Sequence, residues 1–301
     1  MEAIHAEEFL PWPKIVSRSR ERFSGTLLVR SLVSDPGQWY FLYLPRCDWK
    51  DAPIVVSVHG ITRNAYEHAM LFAPYAERHG VILIAPLFTR ERHRRYQRLG
   101  REREVARADV VLDNIIADTC VLTRGQAHKV YLFGYSGGGQ FVHRYAFAHP
   151  GRVAAIVIGA AGWYTFPDRE MPYPQGIRSA AFEFDPAEFL TIPATVFVGE
   201  NDTGRDDAFN TSVSLDSHQG ETRLERGRRW IEAMREAAAA HRYDTRFEFQ
   251  TLPGSDHSFL RSVKRGFLAG RVFESLGLVK PAPRRVLRNL PRASSIGVSA
   301  L

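Results

Sequence analysis

Five short, unbroken apolar runs set the tightest limit on how this chain can fold. They are Ile54–Gly60, Val81–Pro86, Lys129–Ser136, Ala154–Gly162 and Ala194–Glu200. Runs of this length without polar alternation read as strands buried on both faces, the pattern of a parallel sheet covered by helices. Parallel neighbours cannot be joined by a tight turn, so a helical crossover is expected between them. The intervening sequence supplies the period. Ala65, His68, Ala69, Phe72 and Ala76 recur at three- and four-residue spacing, as do Val105, Ala108, Leu112, Ile115 and Leu122, and later Leu224, Ile231, Met234 and Ala238. Before these runs, Gly25–Val33 and Gln38–Pro45 flank the turn "SDPG" and read as an antiparallel hairpin. After them, Thr245–Gly254 alternates as an edge strand does. The expectation is an α/β architecture: eight strands, mostly parallel, with helices on both faces.

One interval breaks the alternation. Trp163–Pro193 is dense in aromatics and prolines, too long for an ordinary connection and without a clean period. A long loop of this kind is expected to form a small cap over a functional site. The domain expectation is an N-terminal extension over 1–22, one folded unit over 23–279 containing that cap-like insertion, and a basic tail over 280–301.

With 301 residues, 45% of them apolar, the chain has ample material for a large single core. It has no apolar stretch long enough to span a bilayer. Its acidic, proline-containing start lacks the basic and apolar regions of a secretion signal, so a cytoplasmic protein is expected. Two distant cysteines, Cys47 and Cys120, suggest neither a disulfide framework nor a metal site. The net charge of +7 gathers in Thr89–Glu104 and in the tail from Lys280. The first segment mixes Glu with Arg and the second is proline-rich. Both read as solvated surface, and no nucleic-acid-binding motif accompanies them.

The chemistry gathers where the third apolar run ends. Gly134-Tyr135-Ser136-Gly137-Gly138 matches G-x-S-x-G, and a helical pattern (Phe141, Val142, Tyr145, Ala146) begins at once. A strand that turns sharply into a helix forces the serine between them into a strained conformation with its hydroxyl projecting. Glycines two residues to either side relieve the crowding. The Gly137 N–H then lies at a helix start, where free donors and the helix dipole favour an oxyanion. A second donor is expected from "SVHGITRN", where the Ile61 or Thr62 N–H follows the strand end at His59-Gly60. His59 itself reads as a residue that holds this loop.

A serine hydroxyl needs a base, and the base an orienting carboxylate. In this chain order both are expected after the serine, on loops behind late strands. Asp202 follows the run ending near Gly199, and His257 follows the last strand. Asp206, Asp207 and Glu200 are alternative acids, while Asp256 adjoins His257 and is badly placed to bond its neighbour's ring. His143 and His149 lie along the helix after the serine; His218 and His241 have no strand before them.

With these residues in place the chain resembles the α/β-hydrolases. More narrowly, "HGITRN", "GYSGGGQFVHRYAFAHPGRVAA" and "PGSDHSF" are similar to bacterial esterases of the polyhydroxybutyrate-depolymerase and feruloyl-esterase type. The glycine pair after the serine also resembles prolyl-oligopeptidase-like peptidases. The chain lacks the binding modules of secreted polymer depolymerases and the propeller of the large peptidases, so a small ester substrate is expected. The resemblance implies acyl transfer through Ser136, His257 and Asp202 with no metal or organic cofactor. A peptidase or amidase, and a non-catalytic binding protein of the same fold, are the alternatives. For substrate selection, Trp163, Tyr164 and Phe166, with Tyr173, Phe182 and Phe184, are expected to wall an apolar or aromatic acyl site. Arg63 is the candidate for holding a substrate carboxylate.

Overall fold

The computed structural model describes residues 25–99, 107–178 and 185–279. The N-terminal extension, the basic tail, Val105, Phe182 and Phe184 lie outside the described residues. All eight expected strands form one sheet: β1 (Thr26–Ser31), β2 (Trp39–Leu44), β3 (Ile54–Val58), β4 (Ile82–Pro86), β5 (Val130–Tyr135), β6 (Val153–Gly159), β7 (Ala194–Gly199) and β8 (Phe247–Leu252). Their order is β1-β2-β4-β3-β5-β6-β7-β8. β2 runs antiparallel to β1 and β4, and every pairing from β4 through β8 is parallel.

Eight α-helices are described: α1 (Ala65–His79), α2 (Ala108–Thr123), α3 (Gly137–Ala148), α4 (Pro186–Phe189), α5 (Val213–Gln219), α6 (Arg223–Ala240), α7 (Phe259–Lys264) and α8 (Leu268–Ser275). Because successive strand residues face opposite ways, each central strand feeds two cores. Val55, Phe133, Val157 and Phe197 meet Phe72 and Ala76 of α1 and Leu268 and Phe273 of α8 on one side. Val56, Leu132, Ile156 and Val196 meet Leu112 of α2, Phe141 of α3 and Trp230 and Met234 of α6 on the other. Burying an aliphatic or aromatic side chain of this size contributes about 1.5–3 kcal/mol. This double burial is what the unbroken apolar runs encode.

The sheet fixes where a site can form. β3, β5, β7 and β8 all end on the same edge, so the loops at Gly60, Ser136, Asp202 and His257 emerge together. The late loops are tied directly. Asn201 N–H donates to Ser255 O at 2.9 Å and Glu200 N–H to Leu252 O at 3.1 Å. A Cβ on Gly199 would stand 2.4 Å from Ser255 O, so only glycine lets these two loops approach so closely.

Candidate active site

The turn after β5 is as sharp as its glycines imply. Ser136 has φ 53° and ψ −113°, a left-handed conformation costly for a residue with a Cβ. Its N–H is held by Gly159 O at 2.7 Å. A Cβ on Gly134 would lie 2.2 Å from Gly138 O, and one on Gly138 would lie 2.0 Å from Val58 O. The elbow therefore packs backbone against backbone on both sides of the serine.

Three residues distant in sequence meet there. His257 Nε2 lies 3.0 Å from Ser136 Oγ, and His257 Nδ1 lies 2.8 Å from Asp202 Oδ2. The Asp202 side chain is 1% exposed and the imidazole 29%, so the carboxylate is screened from water while the ring stays reachable. The alternative acids are engaged elsewhere. Asp256 accepts from Ser258 N–H at 3.0 Å and pairs with Arg261 at 2.5 Å. Glu200 accepts from Gly254 N–H at 3.3 Å. Among the rival histidines, His143 is buried between Gly139 O and Thr165 N–H, and His149 pairs with Asp109.

On the other side of the serine, Gly60 O accepts from Arg63 N–H at 3.0 Å, which closes a turn with Ile61 and Thr62 at its corners. A Cβ on Gly137 would stand 3.4 Å from the Ile61 backbone nitrogen, which puts that nitrogen beside the first residue of α3. Thr62 turns its hydroxyl to Asn64 at 3.2 Å. His59 anchors this turn: its Nδ1–H donates to Gly60 O at 2.8 Å and its Nε2 accepts from Phe88 N–H at 3.0 Å. Full burial lowers the His59 pKa to about 4, which keeps the ring neutral in that role.

The cavity beside Ser136 measures about 540 Å³. Its wall is mostly apolar, with polar side chains set into it. α1 and the turn before it contribute Asn64, Glu67 and His68; α3 contributes Gln140; and Asp206 and Arg223 close the far side. Phe259, Leu260 and Ile61 form the apolar part. The residues expected to select substrate are elsewhere. Trp163 lies under the Arg144 guanidinium at 4.5 Å. Tyr164 is fully buried and stacks on Trp230 at 5.2 Å, and Phe166 meets the edge of His218 at 4.6 Å. None of these three is among the residues lining the cavity: Arg144 of α3 covers Trp163, Trp230 of α6 stacks on Tyr164, and His218 of α5 meets Phe166. Tyr173 donates to Arg98 O at 2.8 Å and is likewise absent from the cavity wall. Arg63 also departs from expectation. It folds back onto Phe88 O, reaches His93 O at 3.4 Å, and lies over the Tyr96 ring at 5.3 Å.

Arg223 was not singled out from sequence. It opens α6 directly after the capping Thr222 and, 3% exposed, bonds Asp202 Oδ1 at 3.1 Å and Asp206 Oδ2 at 2.6 Å. Burial tends to raise the Asp206 carboxyl, but the Arg223 hydrogen bond and charge outweigh it and hold Asp206 below the usual carboxylate value. The one available signal was a basic residue at a helix start, against the dipole, close behind the acid-rich "NDTGRDD".

Among the described residues no group of His, Cys, Asp and Glu side chains is arranged to hold a metal ion. No described helix is long and apolar enough to cross a membrane.

No protein-family model matches the chain, and no curated protein sequence does either. Solved structures do. A poly(aspartic acid) hydrolase-1 from Sphingomonas sp. KT-1 is 22% identical, with 85% of this chain and 98% of that one covered at a TM-score of 0.69. A poly(3-hydroxybutyrate) depolymerase from Bordetella parapertussis is 25% identical, with 86% and 92% covered at a TM-score of 0.69. An S-formylglutathione hydrolase from Agrobacterium tumefaciens is 14% identical, with 86% and 97% covered at a TM-score of 0.58. The chain has the α/β-hydrolase fold, and the solved structures that share it are esterases and other hydrolases.

Proposed function

We propose that this protein is a serine hydrolase that cleaves a carboxylic ester through an acyl-enzyme intermediate. The observation that carries the reading is the continuous path from Ser136 Oγ through the imidazole of His257 to the buried Asp202, with links of 3.0 and 2.8 Å. His257 takes the Ser136 proton as the oxygen attacks the ester carbonyl, and Asp202 stabilises the imidazolium that forms. The Gly137 N–H, at a helix start, and the Ile61 N–H beside it receive the oxyanion, with the Thr62 N–H as the alternative second donor. His257 then protonates the leaving alcohol, and water repeats the sequence on the acyl-enzyme.

The poly(3-hydroxybutyrate) depolymerase at 25% identity supports ester chemistry. The mostly apolar cavity wall, with Asn64, Glu67 and Gln140 set into it, favours an ester that carries a hydrogen-bonding group on an apolar frame. A cytoplasmic location and a small substrate remain part of this reading. The test is labelling with a fluorophosphonate, read by intact mass, on wild type and Ser136→Ala, followed by a panel of matched esters and amides. One adduct on wild type, none on the variant, and turnover of esters ahead of amides is the expected result. Turnover of amides alone would replace the esterase with an amidase. A folded wild type that takes no adduct would point to a binding protein.

A further inference from the structure

Arg223 occupies a place that acyl transfer alone does not explain. As the first residue of α6 it carries a positive charge where the helix dipole disfavours one. It is 3% exposed, and burying a guanidinium is costly unless its donors are met. Nε has no partner among the described residues, and the two Nη groups converge on the loop that carries the acid. Nη1 gives to Asp202 Oδ1 at 3.1 Å and to Gly204 O at 3.2 Å, while Nη2 gives to Asp206 Oδ2 at 2.6 Å. Phe209 lies against its flat face, 4.7 Å from the ring centre.

We propose that Arg223 is a positioning residue for the hydrolase reading above, on which this inference rests: it orients Asp202 toward His257 and sets the pH below which His257 stops working as a base. With Oδ1 fixed by Arg223, the carboxylate cannot rotate, and Oδ2 stays on His257 Nδ1. The electrostatic part follows from sign. A carboxylate alone favours the protonated imidazole, and a cation on its far side opposes that preference. Asp206, whose side chain is 47% exposed, offsets part of the Arg223 charge.

The other charged or titratable groups around His257 are placed differently. Asp256, its neighbour, is paired with Arg261 of α7. Tyr135, at the end of β5, has its ring 5.8 Å from the imidazole and its hydroxyl on Ser262. Glu67 of α1 lies across the cavity and is bonded by Asn64. Arg223 acts on Tyr135 through charge alone, and burial keeps that phenol neutral. The two variants Arg223→Gln and Asp206→Asn should move the same pH limb in opposite directions; Asp206 also acts on His257 through its own charge, so the Arg223→Gln limb carries the test.

The experiment is the pH dependence of the second-order rate of fluorophosphonate labelling at Ser136, with melting curves recorded for each variant. Arg223→Gln is expected to move the acid limb up by about one pH unit. Asp206→Asn is expected to move it down by a few tenths, less because Asp206 faces solvent. Arg223→Lys keeps the charge without the fork, so its limb stays near that of wild type while the plateau falls. A lower plateau with an unmoved limb in Arg223→Gln would overturn the inference, as would shifts of the same sign in the two variants. If Arg223→Gln does not fold, Arg223→Lys decides: a lower plateau at wild-type melting temperature supports the inference, and a wild-type plateau overturns it. Failure of wild type to label at Ser136 would instead overturn the hydrolase reading, and this inference with it.

Discussion

Two histidines stand on loops that flank Ser136, and they differ in every property that matters for chemistry. His59 ends β3, is wholly buried, and bonds a carbonyl and an amide N–H of its own backbone surroundings. His257 follows β8, has an exposed ring edge, and bonds a buried carboxylate and the serine hydroxyl. A neutral carbonyl at Nδ1 holds a ring in place, whereas a carboxylate at Nδ1 also stabilises a positive charge on it. The same side chain thus serves as a strut in one loop and, on our reading, as the base in the other.

The largest effects should separate the two loops by kind. Ser136→Ala and His257→Ala are expected to lower ester hydrolysis by about 10⁶-fold while shifting the unfolding free energy by less than about 1 kcal/mol. Steady-state rates and denaturant melts on the same preparations measure both. Next comes the elbow that supports them. Gly138→Ala drives a Cβ to within 2.0 Å of Val58 O, backbone that cannot yield without moving β3. A loss of at least about 3 kcal/mol is expected, or no folding at all. Wild-type stability in that variant would mean that the elbow is looser than its geometry indicates.

His59→Ala should reverse the pattern of His257→Ala. It strips a partner from the buried Phe88 N–H and leaves a void, for a loss of about 2–3 kcal/mol. Hydrolysis should fall by about 10²-fold through the loosened Gly60–Ile61 turn, the size of one mispositioned oxyanion donor. A variant that keeps its stability but loses all hydrolysis would make His59 a participant and erase the distinction between the loops.

The fold was legible because its signal is local and redundant. Each central strand shows up as an apolar run since both of its faces are buried, and Gly134 and Gly138 show up because a Cβ at either would stand under 2.5 Å from backbone. Asp202 and His257 were legible for a related reason, as polar residues immediately behind strand ends. The cavity wall was not. Asn64, Glu67 and Gln140 sit near helix starts and look in sequence like any solvated helix residue. Trp163 and Tyr164 follow β6 directly, as pocket residues would. Only the tertiary fit to Arg144, His143 and Trp230 carries them inward. Arg223 was invisible because its partners lie 21 and 17 residues away in sequence.

The buried histidines also predict how the molecule responds to acid. His59 and His93 have their pKa lowered to about 4, mainly by burial, and burial holds His68 and His143 well below 6.5. Above about pH 7.5 these rings are neutral whether the chain is folded or not, so they leave stability unchanged. Between 6.5 and about 4 the unfolded chain takes up protons that the folded chain refuses, and stability falls with pH. For His59 that window of about 2.5 pH units, at about 1.4 kcal/mol per unit, amounts to roughly 3 kcal/mol. Urea titrations at pH 8.5, 7.5 and 5.5 should show nearly equal midpoints for the first two and a lower one for the third. A midpoint already falling between pH 8.5 and 7.5 would assign the loss to other groups.

The smallest expected effect is the most discriminating about the pocket. Tyr164 is fully buried, and its hydroxyl has no hydrogen-bond partner among the described residues. Burial raises its pKa far above the ordinary phenol value, so the group stays a neutral, unbonded hydroxyl at any working pH. Removing such an oxygen deletes an unmet desolvation cost without opening a cavity. Tyr164→Phe should therefore leave stability unchanged or raise it by up to about 1 kcal/mol, with kcat and KM both unaltered. If Tyr164 instead touched substrate, as its position after β6 first suggests, KM would move while stability stayed put. Opposite responses in these two measurements decide whether the strand-end aromatics belong to the packed layer with His143 or to the reacting layer with His257.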